Sequence, residues 1–168
     1  TFAGLLQGAT VDLGSYQGAD YSCRISYTGD SGTGAITGGN DVVLYGFSVD
    51  TDGYVNQMKI SFPGYTKPTP LTNFPVLVKL GPNVDDFAYD QLASPDGYDL
   101  RFVDADGVTI LNYEAENWNT SGTSYVWVQV PVLSGSDDYI WAYWGNSSAT
   151  SSPPAYTTDG SVWDSGDY

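Results

Sequence analysis

Glu114 and Glu116 are the two side chains whose type and spacing best fit acid–base chemistry. On a β-strand, a two-residue spacing places both carboxylates on one face, about 7 Å apart, together with Trp118. This separation lies between those of retaining and inverting glycosidases, roughly 5.5 Å and about 6.5 to 9.5 Å. Because the longer acidic signature of sandwich glycosidases is absent, we interpret the pair as solvated or cation-binding rather than catalytic.

Alternating aromatic residues form the second group that could serve a binding function. In the segments from Tyr125 to Val130 and from Tyr139 to Trp144, every second residue is aliphatic or Trp144, and the others share the opposite face. That opposite face carries Tyr125, Trp127, Gln129, Tyr139, Trp141 and Tyr143. If the two strands pair, these residues predict a glycan-binding platform, since aromatic faces stack on sugar rings. Glu114, Glu116 and Trp118 are further candidates for glycan contacts. The alternative is that both faces are buried, the second beneath the N-terminal strands.

An acidic turn is the third candidate site. Asp104 and Asp106, in the segment Asp104-Ala105-Asp106-Gly107, look like half of a calcium loop, but a full loop needs further ligands that this segment lacks. Asp and Gly also favour a tight hairpin turn, which is the main interpretation, with calcium as the alternative. Asp99 and Arg101 share a strand face and predict an ion pair that fixes the preceding loop, or else a sugar-binding pair.

Composition excludes several classes of protein. Histidine is absent, which removes Ser-His-Asp and Cys-His catalysis and histidine zinc sites. Cys23, the only cysteine, is predicted to be a small buried side chain, with an intermolecular disulfide as the alternative. The chain carries 20 acidic and 5 basic residues, and its net charge of -15 argues against a nucleic-acid partner. No run of apolar residues is long enough for a membrane span.

The elements that must position these residues are short strands. Alternating apolar runs broken by Gly, Asn, Asp and Pro predict an all-β fold. We expect an antiparallel β-sandwich of jelly-roll type over residues 54–146, additional N-terminal strands or an arm over residues 1–53, and a Ser/Thr/Pro linker tail over residues 147–168. The expected strands are Thr10–Leu13, Tyr21–Tyr27, Asp41–Val49, Gln57–Phe62, Phe74–Leu80, Leu100–Val103, Thr109–Tyr113, Tyr125–Val130 and Tyr139–Trp144.

The first 13 residues carry mostly small or apolar side chains, and Gly8 and Gly14 lie on either side of the part that contains Val11 and Leu13. Val11 and Leu13 point to one face, as pairing against a core requires. The segment is therefore predicted either to form an edge strand of its own domain or to cross into the sheet of a neighbouring copy.

Several segments from Val55 onward resemble the family called domain of unknown function 2341 (DUF2341). They are Met58-Lys59-Ile60, Leu71–Val78, Asp96–Gly107, Leu111–Trp118, Val126–Pro131 and Trp144-Gly145-Asn146. The resemblance covers about residues 55–146 and implies a secreted β-sandwich, found beside laminin-G or concanavalin-like domains of larger surface proteins. It implies no established reaction and does not extend to residues 1–53.

These observations predict a non-catalytic adhesion module, extracellular or on the cell surface, with a glycan among its partners. The alternative is a structural subunit that self-assembles into an extracellular filament or surface layer through its N-terminal arm. Asn119 and Asn146 lie in Asn-x-Ser/Thr patterns and are candidate glycosylation sites. Because the chain begins at Thr1, a processed or excised segment is expected.

Overall fold

A computed structural model describes residues 4–16 and 19–163 of the chain. Within these residues the fold is all-β, and the chain divides into two compact units, Thr1–Asp50 and Thr51–Tyr168. The strands are β1 (Thr10–Tyr16), β2 (Ala19–Gly29), β3 (Asp41–Asp50), β4 (Asn56–Ser61), β5 (Leu71–Leu80), β6 (Arg101–Asp104), β7 (Tyr113–Asn117), β8 (Ser124–Leu133) and β9 (Tyr139–Trp144). Two short 3-10 helices cover Tyr89–Gln91 and Ser161–Trp163.

The first unit is a three-stranded antiparallel sheet in the order β1-β2-β3. Period-two alternation gives β2 one apolar face, on which Cys23 and Ile25 are 1% and 2% exposed. The burial of Cys23 fits its interpretation as a small core side chain. Residues 1–53 were expected to add strands to the sandwich or to form an arm. In the described residues, β1 pairs with β2 and β2 with β3, and these three strands form one sheet.

The second unit contains two three-stranded antiparallel sheets, with the orders β4-β9-β6 and β5-β8-β7. Apart from the hairpin of β7 and β8, consecutive strands cross from one sheet to the other, as in jelly rolls. The ring centroids of Phe102 and Tyr113, from opposite sheets, lie 5.2 Å apart, so the sheets face each other across a shared core. The predicted fold class, an all-β antiparallel sandwich, is confirmed.

The core of the sandwich follows from the alternation in β8 and β9. The inward side chains of these strands are at most 1% exposed, and they are Val126, Val128, Val130, Ile140, Ala142 and Trp144. Burying a large aliphatic side chain stabilises a fold by about 1.5 to 3 kcal/mol, so these side chains contribute substantially to the stability of the unit. They are also the central strands of their sheets, so their outward side chains lie in the middle of the outer face of each sheet.

The pairing of β8 with β9, which a single aromatic platform requires, does not occur. β8 lies between β5 and β7, and β9 lies between β4 and β6. The loop after β8 therefore crosses between sheets instead of making a hairpin. Alternation shows which residues of a strand share a face, but it carries no information on which strand is the neighbour.

The tail after β9 is not a free linker, contrary to expectation. Tyr156 forms a parallel bridge with Tyr113, and the main-chain amide of Thr157 donates to the carbonyl oxygen of Tyr113 at 2.8 Å. Ala155 and Val162 are 3% and 0% exposed. The tail thus contributes apolar side chains and backbone hydrogen bonds to the sandwich, although its composition is that of a linker.

The expected strand at Thr109–Tyr113 is also wrong. Ile110 makes only an isolated bridge to Val103, and β7 begins where that strand was expected to end. No helix among the described residues is long and apolar enough to cross a membrane.

Candidate binding sites of the sandwich

The outer face of the sheet β4-β9-β6 carries a row of aromatic rings. Tyr139, Trp141 and Tyr143 point outward from β9 and are half-buried. The ring centroids of Tyr139 and Trp141 lie 6.0 Å apart, and those of Trp141 and Tyr143 lie 6.4 Å apart. Tyr54 continues the row at 6.2 Å from Tyr143. Four consecutive rings therefore line one side of the sandwich.

Polar side chains accompany this row on the neighbouring strand. Gln57, Lys59 and Ser61 of β4 are exposed and pair in register with Tyr143, Trp141 and Tyr139, respectively. We call these six residues the open face. The ammonium nitrogen of Lys59 lies 3.8 Å from the ring centroid of Tyr139, which is cation–π geometry. Partial burial raises the pKa of Tyr143, so its hydroxyl is neutral at physiological pH and can both donate and accept hydrogen bonds.

The outer face of β5-β8-β7 also carries outward aromatic residues, but the C-terminal segment packs against them. We call Tyr125, Trp127 and Gln129 the covered face. The rings of Trp127 and Trp163 lie 4.6 Å apart. The amide nitrogen of Gln129 donates to the carbonyl oxygens of Ser161 and Val162, both at 3.3 Å. The six predicted platform residues are therefore split between two opposite sides of the sandwich.

Glu114 and Glu116 do not form the regular pair that their spacing predicts. The register of β7 against β8 shifts between Ala115 and Asn117, which places Glu116 in a bulge. The carboxylate of Glu116 accepts a hydrogen bond of 2.8 Å from the indole nitrogen of Trp127. Oε2 of Glu114 is buried and has no hydrogen-bond partner among the described residues. Trp118 lies beyond the end of β7, and its indole nitrogen donates to the carbonyl oxygen of Pro95.

The segment from Asp104 to Gly107 is a tight turn. The carboxylate of Asp106 accepts the amide hydrogens of Val108 and Thr109, each at 2.8 Å, and the hydroxyl of Thr109 at 2.7 Å. Gly107 has a φ of 72°, which a glycine adopts readily. Within the described parts of the chain, no group of three or more acidic, histidine or cysteine side chains is arranged to hold a metal ion.

The two aspartates of this turn differ in their electrostatics. Burial raises the pKa of Asp104, and the neighbouring charges of Asp106 and Asp138 add to this shift. Burial also acts to raise the pKa of Asp106, but hydrogen bonds from Thr109 and Val108 outweigh it and the net shift is downward. The turn therefore stabilises the ionised form of Asp106 and disfavours that of Asp104.

Asp99 fixes its loop through backbone hydrogen bonds. Its side chain is fully buried and accepts the amide hydrogens of Ala93, Ser94 and Gly145 at 2.9, 3.0 and 2.7 Å. Arg101 is also buried, and its guanidinium donates to the carbonyl oxygens of Tyr98 and Leu100. Both residues hold the loop before β6 through main-chain partners, and the ion pair between them stays a prediction.

A cavity of about 300 Å³ lies between this loop, β7 and the tail. Aromatic rings dominate its lining, together with one acid and one serine: Tyr98, Tyr113, Trp118, Tyr156, Asp96 and Ser152. The sequence analysis missed this cavity because Ser152 and Tyr156 come from the presumed linker. The glycine at position 97 and Trp118 were the available signals, since a Cβ added to Gly97 would lie only 2.6 Å from the indole of Trp118.

The remaining predicted sites are dispersed. Asn119 is exposed in the turn between β7 and β8, whereas Asn146 is half-buried with its amide nitrogen packed against Gly53. In β1, Val11 is half-buried opposite Cys23, and Leu13 is 46% exposed at a register shift. Only Asn119 has the exposure that glycosylation requires.

The fold and these surfaces define a class, a two-sheet β-sandwich module with aromatic outer faces and an aromatic cavity. Residues 96–164 of the chain match the model of the family DUF2341, a domain of unknown function. The predicted resemblance is thus confirmed over a segment that begins later and ends later than expected. No curated protein and no solved structure matches the chain. All residues that line the cavity, from Asp96 to Tyr156, lie within the matched segment.

Proposed function

We propose that the chain is a non-catalytic extracellular adhesion module that binds a glycan on its open face. The observation that carries the proposal is the row of Tyr139, Trp141 and Tyr143 with exposed Gln57, Lys59 and Ser61 beside it in register. Aromatic rings bury the apolar C–H faces of sugar rings, and neighbouring polar side chains bond the hydroxyl groups. A row of several rings suits consecutive sugar units of a chain.

The charge of the protein supports a neutral partner. With a net charge of -15, the chain repels acidic polysaccharides, nucleic acids and anionic lipids. A neutral glycan has no such electrostatic penalty. Lys59, which lies over the ring of Tyr139, places a hydrogen-bond donor on the open face, and the chain as a whole remains strongly acidic.

The Glu114 and Glu116 pair gives little support to a hydrolytic alternative. Glu116 already accepts a hydrogen bond from Trp127, and this tryptophan packs against Trp163 of the tail. A glycosidase needs two carboxylates that both reach the scissile bond. We expect no turnover on a panel of glycans; hydrolysis that Glu114→Gln abolishes would contradict the proposal.

The decisive experiment removes one tryptophan from each face. Trp141→Ala should weaken glycan binding on an array or by affinity electrophoresis by about two- to tenfold, since the stacking of one aromatic ring contributes about 0.5 to 1.5 kcal/mol. Trp127→Ala is the matched control on the covered face and should leave glycan binding unchanged. Equal binding by both variants, or no binding of any glycan by the unmodified chain, would refute the proposal.

A second function, self-assembly into a filament or surface layer, is favoured by one observation on the first unit. β1 is an edge strand, and it carries the exposed apolar side chains of Leu13 and Tyr16, at 46% and 66% exposure. Edge strands of this kind accept strands from other chains unless they are protected. Light scattering should then detect polymers of the chain, and Leu13→Lys should reduce them; a monomer at all concentrations would remove this function.

A further inference from the structure

The cavity between the loop before β6, β7 and the tail is built from rigid aromatic walls. Trp118 is held by its hydrogen bond of 2.8 Å to the carbonyl oxygen of Pro95 and by an edge contact with Tyr89, with ring centroids 5.9 Å apart. Gly97, with a φ of 72°, brings the backbone against the indole where no side chain would fit. The position of this ring is therefore set before any ligand binds.

The opposite wall is equally constrained. The hydroxyl of Tyr113 donates to the carbonyl oxygen of Leu100 at 3.0 Å, and its ring lies 5.3 Å from that of Tyr156. Tyr156 is in turn held by its backbone bridge to Tyr113. The tail thus contributes one side of the cavity, and preorganised walls of this kind lower the entropic cost of binding.

The chemistry of the lining distinguishes between ligands. The floor is apolar, with Leu100, Ala115 and Val126, and the polar side chains are Asp96 and Ser152 at the rim together with tyrosine hydroxyls. A sugar buried here would leave several hydroxyl groups without partners, which is costly. An organic cation needs only aromatic faces and one carboxylate, because its charge is spread over C–H groups that contact the rings.

The local charge balance agrees with a cation. Asp96 is the one charged side chain among the described residues of the lining, and it is exposed. Asp99 and Arg101 flank Leu100 of the floor in the sequence, and both bond main-chain groups, which for Asp99 include the amide of Gly145 after β9. Two carboxylates and one guanidinium leave a net negative charge near the cavity, and the whole chain is acidic as well.

We propose that this cavity binds an organic ammonium ion, with Tyr98, Trp118 and Tyr156 enclosing the cation and Asp96 neutralising it. This site is separate from the open face and does not depend on the proposed glycan binding. A methylated ammonium group can belong to a free small molecule or to the end of a lysine side chain, and the chemistry of the cavity is the same for both.

The test is a calorimetric titration of the complete chain with choline and with 3,3-dimethyl-1-butanol, which has the same shape without the charge. Choline should bind at least about tenfold more tightly than the alcohol, because the attraction of a cation to aromatic rings and a carboxylate is electrostatic. A peptide containing trimethyl-lysine forms the second arm. Tighter binding of the peptide than of choline identifies a side chain as the ligand, and the reverse identifies a free ion.

Matched variants locate the site. Asp96→Asn should weaken choline binding by about tenfold, whereas Asp137→Asn, which removes the same charge from another exposed position, should change it by less than about twofold. Trp141→Ala should leave choline binding intact, so a failure of the glycan proposal would not affect this result. Equal affinity for choline and the alcohol, equal binding by the Asp96 and Asp137 variants, or no binding at millimolar choline would each overturn the inference.

Discussion

The two outer faces of the sandwich begin from the same sequence pattern and reach different ends. β8 and β9 both alternate aliphatic residues with Tyr and Trp, and both direct the aliphatic residues into the core. On the open face, Trp141 lies beside exposed polar residues of β4. On the covered face, Trp127 packs against Trp163 and bonds Glu116. The difference comes from the C-terminal segment, which lies over one sheet.

This comparison shows that an outward aromatic residue has no fixed role. Trp127 and Gln129 hold the tail, whereas Trp141 on β9 lies beside exposed polar side chains of β4. The covered face buries Val162 completely, although Trp163 beside it is 39% exposed. Partial exposure alone therefore does not separate a binding residue from a packing residue; the contacts do.

The largest expected effect comes from a charge placed under the tail. Val162→Asp should destabilise the chain by more than about 3 kcal/mol, because an unpaired carboxylate would replace a fully buried side chain. Val132→Asp is the matched control, since Val132 is 54% exposed on β8, and it should cost less than about 0.5 kcal/mol. Denaturant unfolding measures both. Similar losses in the two variants would show that the tail does not protect the covered face.

A smaller effect should distinguish the two tryptophans. Trp127→Ala removes the stacking on Trp163 and the hydrogen bond to Glu116, and we expect a loss of about 2 to 3 kcal/mol. Trp141→Ala should cost about 1 kcal/mol, since its neighbours on β4 are exposed. Thermal unfolding of both variants under one set of conditions makes the comparison. A larger loss for Trp141 would mean that the open face is a packing surface.

Local patterns predicted local structure well. The bounds of β9, Tyr139–Trp144, agree with the expected strand, and the side of each residue follows from alternation. Strand neighbours depend on the whole chain, so the split of the aromatic residues over two faces was not predictable from either strand. The packing of the tail depends on single residues such as Val162, which a linker composition hides. The cavity brings together residues up to 60 positions apart, from Asp96 to Tyr156, which no sequence pattern connects.

The turn that begins at Asp104, at the end of β6, should respond to pH in two opposite ways. The pKa of Asp106 is lowered on folding, so its stabilisation is present above about pH 4 and is lost as the pH falls through the folded pKa. The pKa of Asp104 is raised, so its contribution is present below about pH 4 and is lost as the pH rises through the folded pKa.

Asparagine substitutions test these signs. Asp106→Asn should lower the melting temperature at pH 7 by about 2 to 4 °C and reduce the loss of stability towards about pH 2.5. Asp104→Asn should leave the melting temperature at pH 7 unchanged or raise it by about 1 °C. Melting curves of both variants across this pH range give the answer, and a loss at pH 7 in the Asp104 variant equal to that of the Asp106 variant would contradict the assignment.

The smallest effect compares one lysine on each face. Lys59 lies 3.8 Å from the ring centroid of Tyr139 on the open face, whereas Lys79 lies 6.0 Å from that of Tyr125 on the covered face. The attraction of an ammonium ion to a ring falls steeply with distance, so a double-mutant cycle should give a coupling energy of about 0.5 to 1 kcal/mol for the first pair and close to zero for the second.

Because both pairs join a lysine to a tyrosine on a neighbouring strand, side-chain entropy and solvent exposure largely cancel between the two cycles. Chemical denaturation of Lys59→Met, Tyr139→Leu and their combination, with the equivalent set at Lys79 and Tyr125, supplies the energies. Equal coupling in the two cycles would mean that the close contact of Lys59 does not persist in solution, and the ammonium group would then be free to bond a glycan hydroxyl instead of the ring.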